Sequence, residues 1–132
     1  MIAVDTNLLL RLIIDDDERQ HALAKAFFAE RSASDPAYVG SVVMTEFVWL
    51  LTRRYRFSKD RVADLILALL QSPDLVIERA DLVEEAAILC RQPKVDFSDA
   101  LIAQLSVAWG CRAVMTFDKD AAKRIPGMEL LA

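Results

Sequence analysis

Four acids of this sequence are placed to act together: Asp5, Glu46, Asp99 and Asp118. Asp5 closes the apolar run Met1-Ile2-Ala3-Val4 and is followed by a hydroxyl and an amide, Thr6 and Asn7. The run reads as a buried central strand with Asp5 at its end. Asp118 stands in the same way after the largely apolar run 112–117. Glu46 falls early in the helix after a second strand, and Asp99 in the first turn of a helix opened by Asp96. In a parallel sheet all four positions lie at the carboxyl edge, where open α/β sheets bind their ligands. Each acid alone has a plainer reading, because Asp is an ordinary helix N-cap. Convergence at one edge is what that plainer reading leaves unexplained.

Two carboxylates about 4 Å apart repel by roughly 4 kcal/mol at an effective dielectric near 20. Four gathered acids therefore call for cations. Oxygen donors without His or Cys select Mg²⁺ or Mn²⁺ over Zn²⁺. Such a site suits phosphodiester hydrolysis, in which one ion activates water and a pair clamps the attacking and leaving oxygens. Thr6 and Asn7 are placed to orient Asp5, and Thr116 to orient Asp118, as supporting partners do around metal ligands. Asp96 reads as the N-cap of the helix bearing Asp99, with a peripheral metal ligand as its alternative. Asp120 reads as a helix-start acid only.

The elements that must position these residues alternate strand with helix. Strands are expected at 1–4, 37–40, 75–77, 112–117 and 128–131, the last at an edge. Helices are expected at 8–14, 18–32, 41–55, from Ser58 through Leu70, and at 80–91, 96–109 and 119–125. That alternation predicts an α/β domain with a parallel sheet covered on both faces. Core stripes follow helical spacing: Ala22, Ala26, Phe27 and Ala29; Val43, Phe47, Leu50 and Leu51; Val62, Leu65, Ile66, Leu69 and Leu70; Val83, Ala86, Ala87 and Cys90; and Leu101, Ile102, Leu105 and Trp109. On the second of these stripes Glu46 is expected at the core boundary. Asp15-Asp16-Asp17-Glu18 reads as a solvated turn that starts a helix.

The chain has 132 residues, 55% of them hydrophobic, which predicts one domain over 1–132. No apolar run reaches the ~18 residues that span a bilayer, and no basic segment precedes the first one, so a cytoplasmic protein is expected. His21, the only histidine, reads as a surface residue; a Ser-His-Asp triad and a His-rich zinc site are both disfavoured. Cys90 and Cys111 read as reduced thiols in or near the core. The net charge of −4 argues against a nucleic-acid partner at first sight. Neutralising Asp5, Glu46, Asp96, Asp99 and Asp118 would remove five negative charges and leave +1. The segment 53–61 carries Arg53, Arg54, Arg56, Lys59 and Arg61 with Tyr55 and Phe57 between them. It reads as a solvated helical-hairpin end, or as a grip on an RNA backbone.

Together these residues resemble a known family. Met-x-x-Val-Asp-Thr-Asn at the start, Thr45-Glu46, Val95-Asp96-Phe97-Ser98-Asp99-Ala100-Leu101-Ile102-Ala103 and Thr116-Phe117-Asp118-Lys119-Asp120 look like a PIN-domain ribonuclease of the VapC toxin type. The resemblance runs over nearly the whole chain, and no motif residue departs from it. It implies a three-layer α/β/α fold around a central five-stranded parallel sheet. It also implies a Mg²⁺- or Mn²⁺-dependent endoribonuclease with Asp5, Glu46, Asp99 and Asp118 as its acidic quartet. A homodimer and a small antitoxin that reaches the active site are further implications. The competing readings are a non-catalytic metal- or RNA-binding module on the same fold, and an RNA-processing nuclease that is no toxin. A haloacid-dehalogenase-like phosphatase would want a second Asp where Asn7 stands. A receiver domain would want paired acids in the first loop, and no P-loop sequence is present.

Overall fold

The computed structural model describes residues 1–132. Chain order is β1 (Ile2–Ala3), α1 (Thr6–Ile13), α2 (Glu18–Ala29), β2 (Ala37–Val39), α3 (Ser41–Arg53), α4 (Lys59–Gln71), β3 (Leu75–Ile77), α5 (Ala80–Leu89), α6 (Phe97–Trp109), β4 (Val114–Thr116), α7 (Lys119–Arg124) and β5 (Met128–Leu130). Every strand pairing is parallel, as the alternation predicts, and the architecture is three-layer α/β/α. No helix is long and apolar enough to cross a membrane.

The sheet departs from the expected single set of five strands. Three strands pair in the order β1-β2-β3, and β4 pairs with β5 separately. β1 is thus an edge of its ladder and not a central strand, and Ile2 is 45% exposed. Its two residues pair only with Ala37 and Tyr38, so no strand pairs with its other side. Burial along the opening run begins at Val4. β4 is likewise less buried than its composition suggests, with Met115 exposed.

One cluster of 26 buried residues forms the core. Phe47, Leu9, Leu10, Met44, Leu51, Ile66 and Leu101 are its largest fully buried side chains. Each apolar side chain of this size contributes ~1.5–3 kcal/mol through burial. The α4 and α5 stripes lie inward as their spacing predicts. Three other stripes are shifted in phase. On α2 the inner side is Ala24 with the half-buried Phe27 and Phe28, while Ala22, Ala26 and Ala29 face out. On α3 it is Met44, Phe47, Val48 and Leu51, with Val43 and Leu50 only half-buried. On α6 it is Phe97, Ala100, Leu101 and Ala103, and Ile102 and Trp109 are exposed. These helices are apolar on several faces, so spacing alone does not choose which face packs.

Capping explains where the helices carrying the acids begin. α1, α6 and α7 start at Asp5, Asp96 and Asp118, each accepting main-chain N–H bonds of its own helix. α3 starts at Gly40, which has no side chain to cap with. Glu78, directly after β3, supplies the acceptor: its Oε1 takes the Ser41 N–H at 2.8 Å. α6 ends at Gly110 in the left-handed region (φ +105°), where glycine lacks the Cβ that disfavours that conformation.

Candidate active site

Asp5 accepts the Leu8 N–H through Oδ1 at 2.9 Å. Asp96 Oδ1 accepts from Ser98 N at 2.7 Å and Asp99 N at 3.3 Å. Asp118 Oδ1 accepts from Asp120 N at 2.9 Å and Ala121 N at 3.0 Å. The plain capping reading is therefore correct for all three. It does not compete with ligand binding, because each cap uses Oδ1 and leaves Oδ2 for another partner. Positive helix ends and main-chain donors hold these carboxylates in place.

Glu46 differs from expectation. It is exposed, on the side of α3 away from Met44, Phe47 and Leu51. The phase of α3 puts it there, and one hydrogen bond orients it: the buried Thr6 hydroxyl donates to Glu46 Oε1 at 3.0 Å. Thr6 thus ties the start of α1 to α3, across 40 residues of sequence. A hollow of about 290 Å³ is then lined by Thr45, Glu46, Trp49, Leu50 and Ser98, which brings α3 beside the start of α6. Asp99, in the first turn of α6, senses both Asp96 and Asp118. Burial pushes its carboxyl above the ordinary range, and the charges of Asp96 and then Asp118 push it the same way.

The acids are linked neighbour to neighbour: Asp5 to Glu46 through Thr6, Glu46 to the start of α6 across the hollow, and Asp99 to Asp96 and Asp118 by charge. No three of them stand close enough together, as placed, to hold one ion. The supporting residues divide. Thr116 Oγ1 accepts the Asp118 N–H at 3.0 Å, so it holds Asp118 through the main chain. Asn7 lines a groove between α1 and α2 with Leu8, Arg11, Gln20 and Leu23, and makes no hydrogen bond to Asp5.

The eight ion pairs of the chain use Asp16, Glu30, Asp35, Asp60, Asp64, Asp81 and Asp120. None uses Asp5, Glu46, Asp96, Asp99 or Asp118. Carboxylates linked in this way and left without a cationic partner suit divalent cations, and their hard oxygens fit Mg²⁺ or Mn²⁺. Soft ligands are elsewhere. His21 is half-buried on α2, its Nδ1–H bonded to the Arg11 carbonyl at 2.6 Å, not free on the surface. Cys90 is buried, and Cys111 is exposed rather than packed. The model of the PIN domain matches residues 2–127. The chain belongs to the PIN-domain family. No curated protein matches this PIN domain. PIN domains are in general metal-dependent nucleases.

Two residues escaped the sequence reading. Glu78 also follows a strand, but its carboxylate is spent on Ser41, which holds it below the usual carboxylate range. Trp49 is 55% exposed beside Glu46 and Ser98. Its signal in the sequence is a spacing of three residues from Glu46.

The basic segment forms the turn between α3 and α4. Arg54 lies over Tyr55 and Arg61 over Phe57, at 5.5 and 3.7 Å from the ring centres. Lys59 donates to the Cys90 and Val95 carbonyls. Arg53, Arg54 and Arg56 remain exposed and without carboxylate partners.

Proposed function

We propose that this PIN domain is a Mg²⁺- or Mn²⁺-dependent endoribonuclease that hydrolyses RNA phosphodiester bonds, acting as the toxin of a type II toxin–antitoxin pair. The observation that carries the nuclease reading is that Asp5, Glu46, Asp96, Asp99 and Asp118, linked neighbour to neighbour, form no ion pair with any Lys or Arg. Asp5, Glu46, Asp99 and Asp118 would hold the ion, with Asp96 at the periphery. When bound, the ion supplies a water of lowered pKa and charge stabilisation at the phosphate. The chain's own residues do the positioning. The helix starts fix Asp5, Asp96 and Asp118, and Thr6 fixes Glu46. Asp99, partly withdrawn from water, is the acid with most to gain from a cation. Arg53, Arg54 and Arg56 offer free cations to an RNA backbone.

The toxin assignment rests on the motif set. A homodimer and a small antitoxin are part of the same proposal, as is a cytoplasmic location. Trp109 and Phe117, 89% and 79% exposed, are surface of the kind that protein partners cover. One observation favours the non-catalytic module instead: no three acids, as placed, reach a single ion. Incubation of a mixed RNA pool with Mg²⁺, Mn²⁺ or EDTA separates the two. Metal-dependent cutting supports the nuclease. No cutting under any metal, with thermal stability indifferent to both ions, supports the module.

A further inference from the structure

Beside the acids lies a second cavity, of about 250 Å³, between α3, α4 and the start of α6. Trp49, Arg53, Phe57, Lys59, Asp96 and Ser98 are among its lining residues. Trp49 and Ser98 also line the hollow that contains Glu46, so the two spaces adjoin at those residues. On α3, Glu46, Trp49 and Arg53 are spaced three and four residues apart and are all exposed. That spacing stacks them on one helix face, with ~10 Å along the axis from Glu46 to Arg53. An acid, an aromatic ring and a free guanidinium thus follow one another away from the candidate active site.

We propose that this cavity receives an unpaired base of the RNA next to the cut phosphate. The base stacks on Trp49, and Arg53 contacts the backbone phosphate that follows. The proposal rests on the nuclease reading above. The chemistry of the cavity selects this occupant. Its aromatic and apolar walls suit a base face, and stacking on an aromatic ring is a sequence-tolerant way to hold single strands. Asp96 repels a phosphate from the interior, while Arg53, which has no acidic partner, attracts one. Lys59 is tied to the cavity wall by donating to two main-chain carbonyls. A base in a duplex is stacked on its neighbours and unavailable, so the cavity admits unpaired RNA only.

The test uses Trp109→Phe, which leaves Trp49 as the only tryptophan. In EDTA, a short single-stranded RNA should quench its fluorescence to saturation, and the same sequence as a duplex should not. In cleavage assays Trp49→Ala should raise KM about tenfold, with kcat within about twofold, and Trp49→Phe should recover most of the loss. Absence of quenching, or an unchanged KM in Trp49→Ala while the wild type cuts RNA, overturns the base pocket and leaves the nuclease reading intact. Saturable quenching by a protein that cuts nothing under any metal keeps the pocket and removes the nuclease. A fall in kcat alone, not rescued by Trp49→Phe, overturns the pocket in favour of a structural role.

Discussion

Asp118 caps α7 and is proposed to hold metal, and two substitutions separate those duties. Asp118→Asn keeps an oxygen for the Asp120 and Ala121 N–H groups. Asn caps as well as Asp, so the cap survives. The lost attraction to the helix end, ~0.3–1 kcal/mol, is offset by relief of the repulsion that Asp99 feels. Asp118→Asn should therefore melt within about 2 °C of wild type without metal. Asp118→Ala loses the cap, ~1 kcal/mol, which for a domain of this size is about 3–5 °C. Metal changes the comparison. At a Mn²⁺ concentration of about 100 Kd the wild type should gain ~2.7 kcal/mol, or about 8–13 °C. Both variants should lose most of that gain and all RNA cleavage. Thermal melts with and without Mn²⁺, beside a cleavage assay, read both duties. If Asp118→Asn cuts RNA at the wild-type rate and melts with the full Mn²⁺ shift, the ligand assignment fails and Asp118 is a cap alone.

Other perturbations follow from the same geometry. Thr6→Val removes the hydroxyl that orients Glu46; calorimetry should find Mn²⁺ bound about ten- to a hundredfold more weakly, with ~1 kcal/mol lost from stability, and unchanged affinity would contradict the role of Thr6. Asp99 has a raised folded pKa, so below the usual Asp value near 3.8 it is protonated in both states and costs nothing. As pH rises from there through the folded value, the unfolded chain ionises more readily than the folded one, and stability is lost. Metal-free Asp99→Asn should thus be more stable than wild type at pH 7 and equal to it near pH 3; equal stability at both pH values would refute the burial of Asp99 among like charges. Replacing Arg53, Arg54 and Arg56 with Ala should flatten the salt dependence of RNA binding by ~0.7 in log–log slope for each phosphate no longer neutralised, and an unaltered slope would remove this turn from the RNA path.

Much of this architecture is legible before any coordinates, because punctuation in the chain is strong. Asp5, Ser58, Asp96 and Asp118 are good caps, and each opens a helix. Short runs such as Leu75-Val76-Ile77 sit between turn residues and become strands. Helix phase is less legible where apolar residues surround the axis. α3 has Val42, Val43, Met44, Phe47, Val48, Trp49, Leu50 and Leu51 to choose from, and packing against α1, α4 and α6 selects Met44, Phe47, Val48 and Leu51. The choice turns Glu46 outward, where it meets Thr6. That hydrogen bond joins residues 40 apart in sequence, and no local pattern encodes it. Pairing between strands is equally non-local, which is why the 3 + 2 division of the sheet has no signature in the runs themselves. Asp5, Asp96, Asp99 and Asp118 are the legible part of the candidate site, because an acid after a strand or at a helix start has its place set by local structure; Glu46 is not.

The most direct test of the site is Mn²⁺ titration calorimetry of the wild type beside Asp99→Asn at neutral pH. Saturable binding by the wild type, weakened at least about tenfold by the substitution, is the expected result. Equal binding by both proteins, or none by the wild type, would contradict the claim that these unneutralised acids form a metal centre.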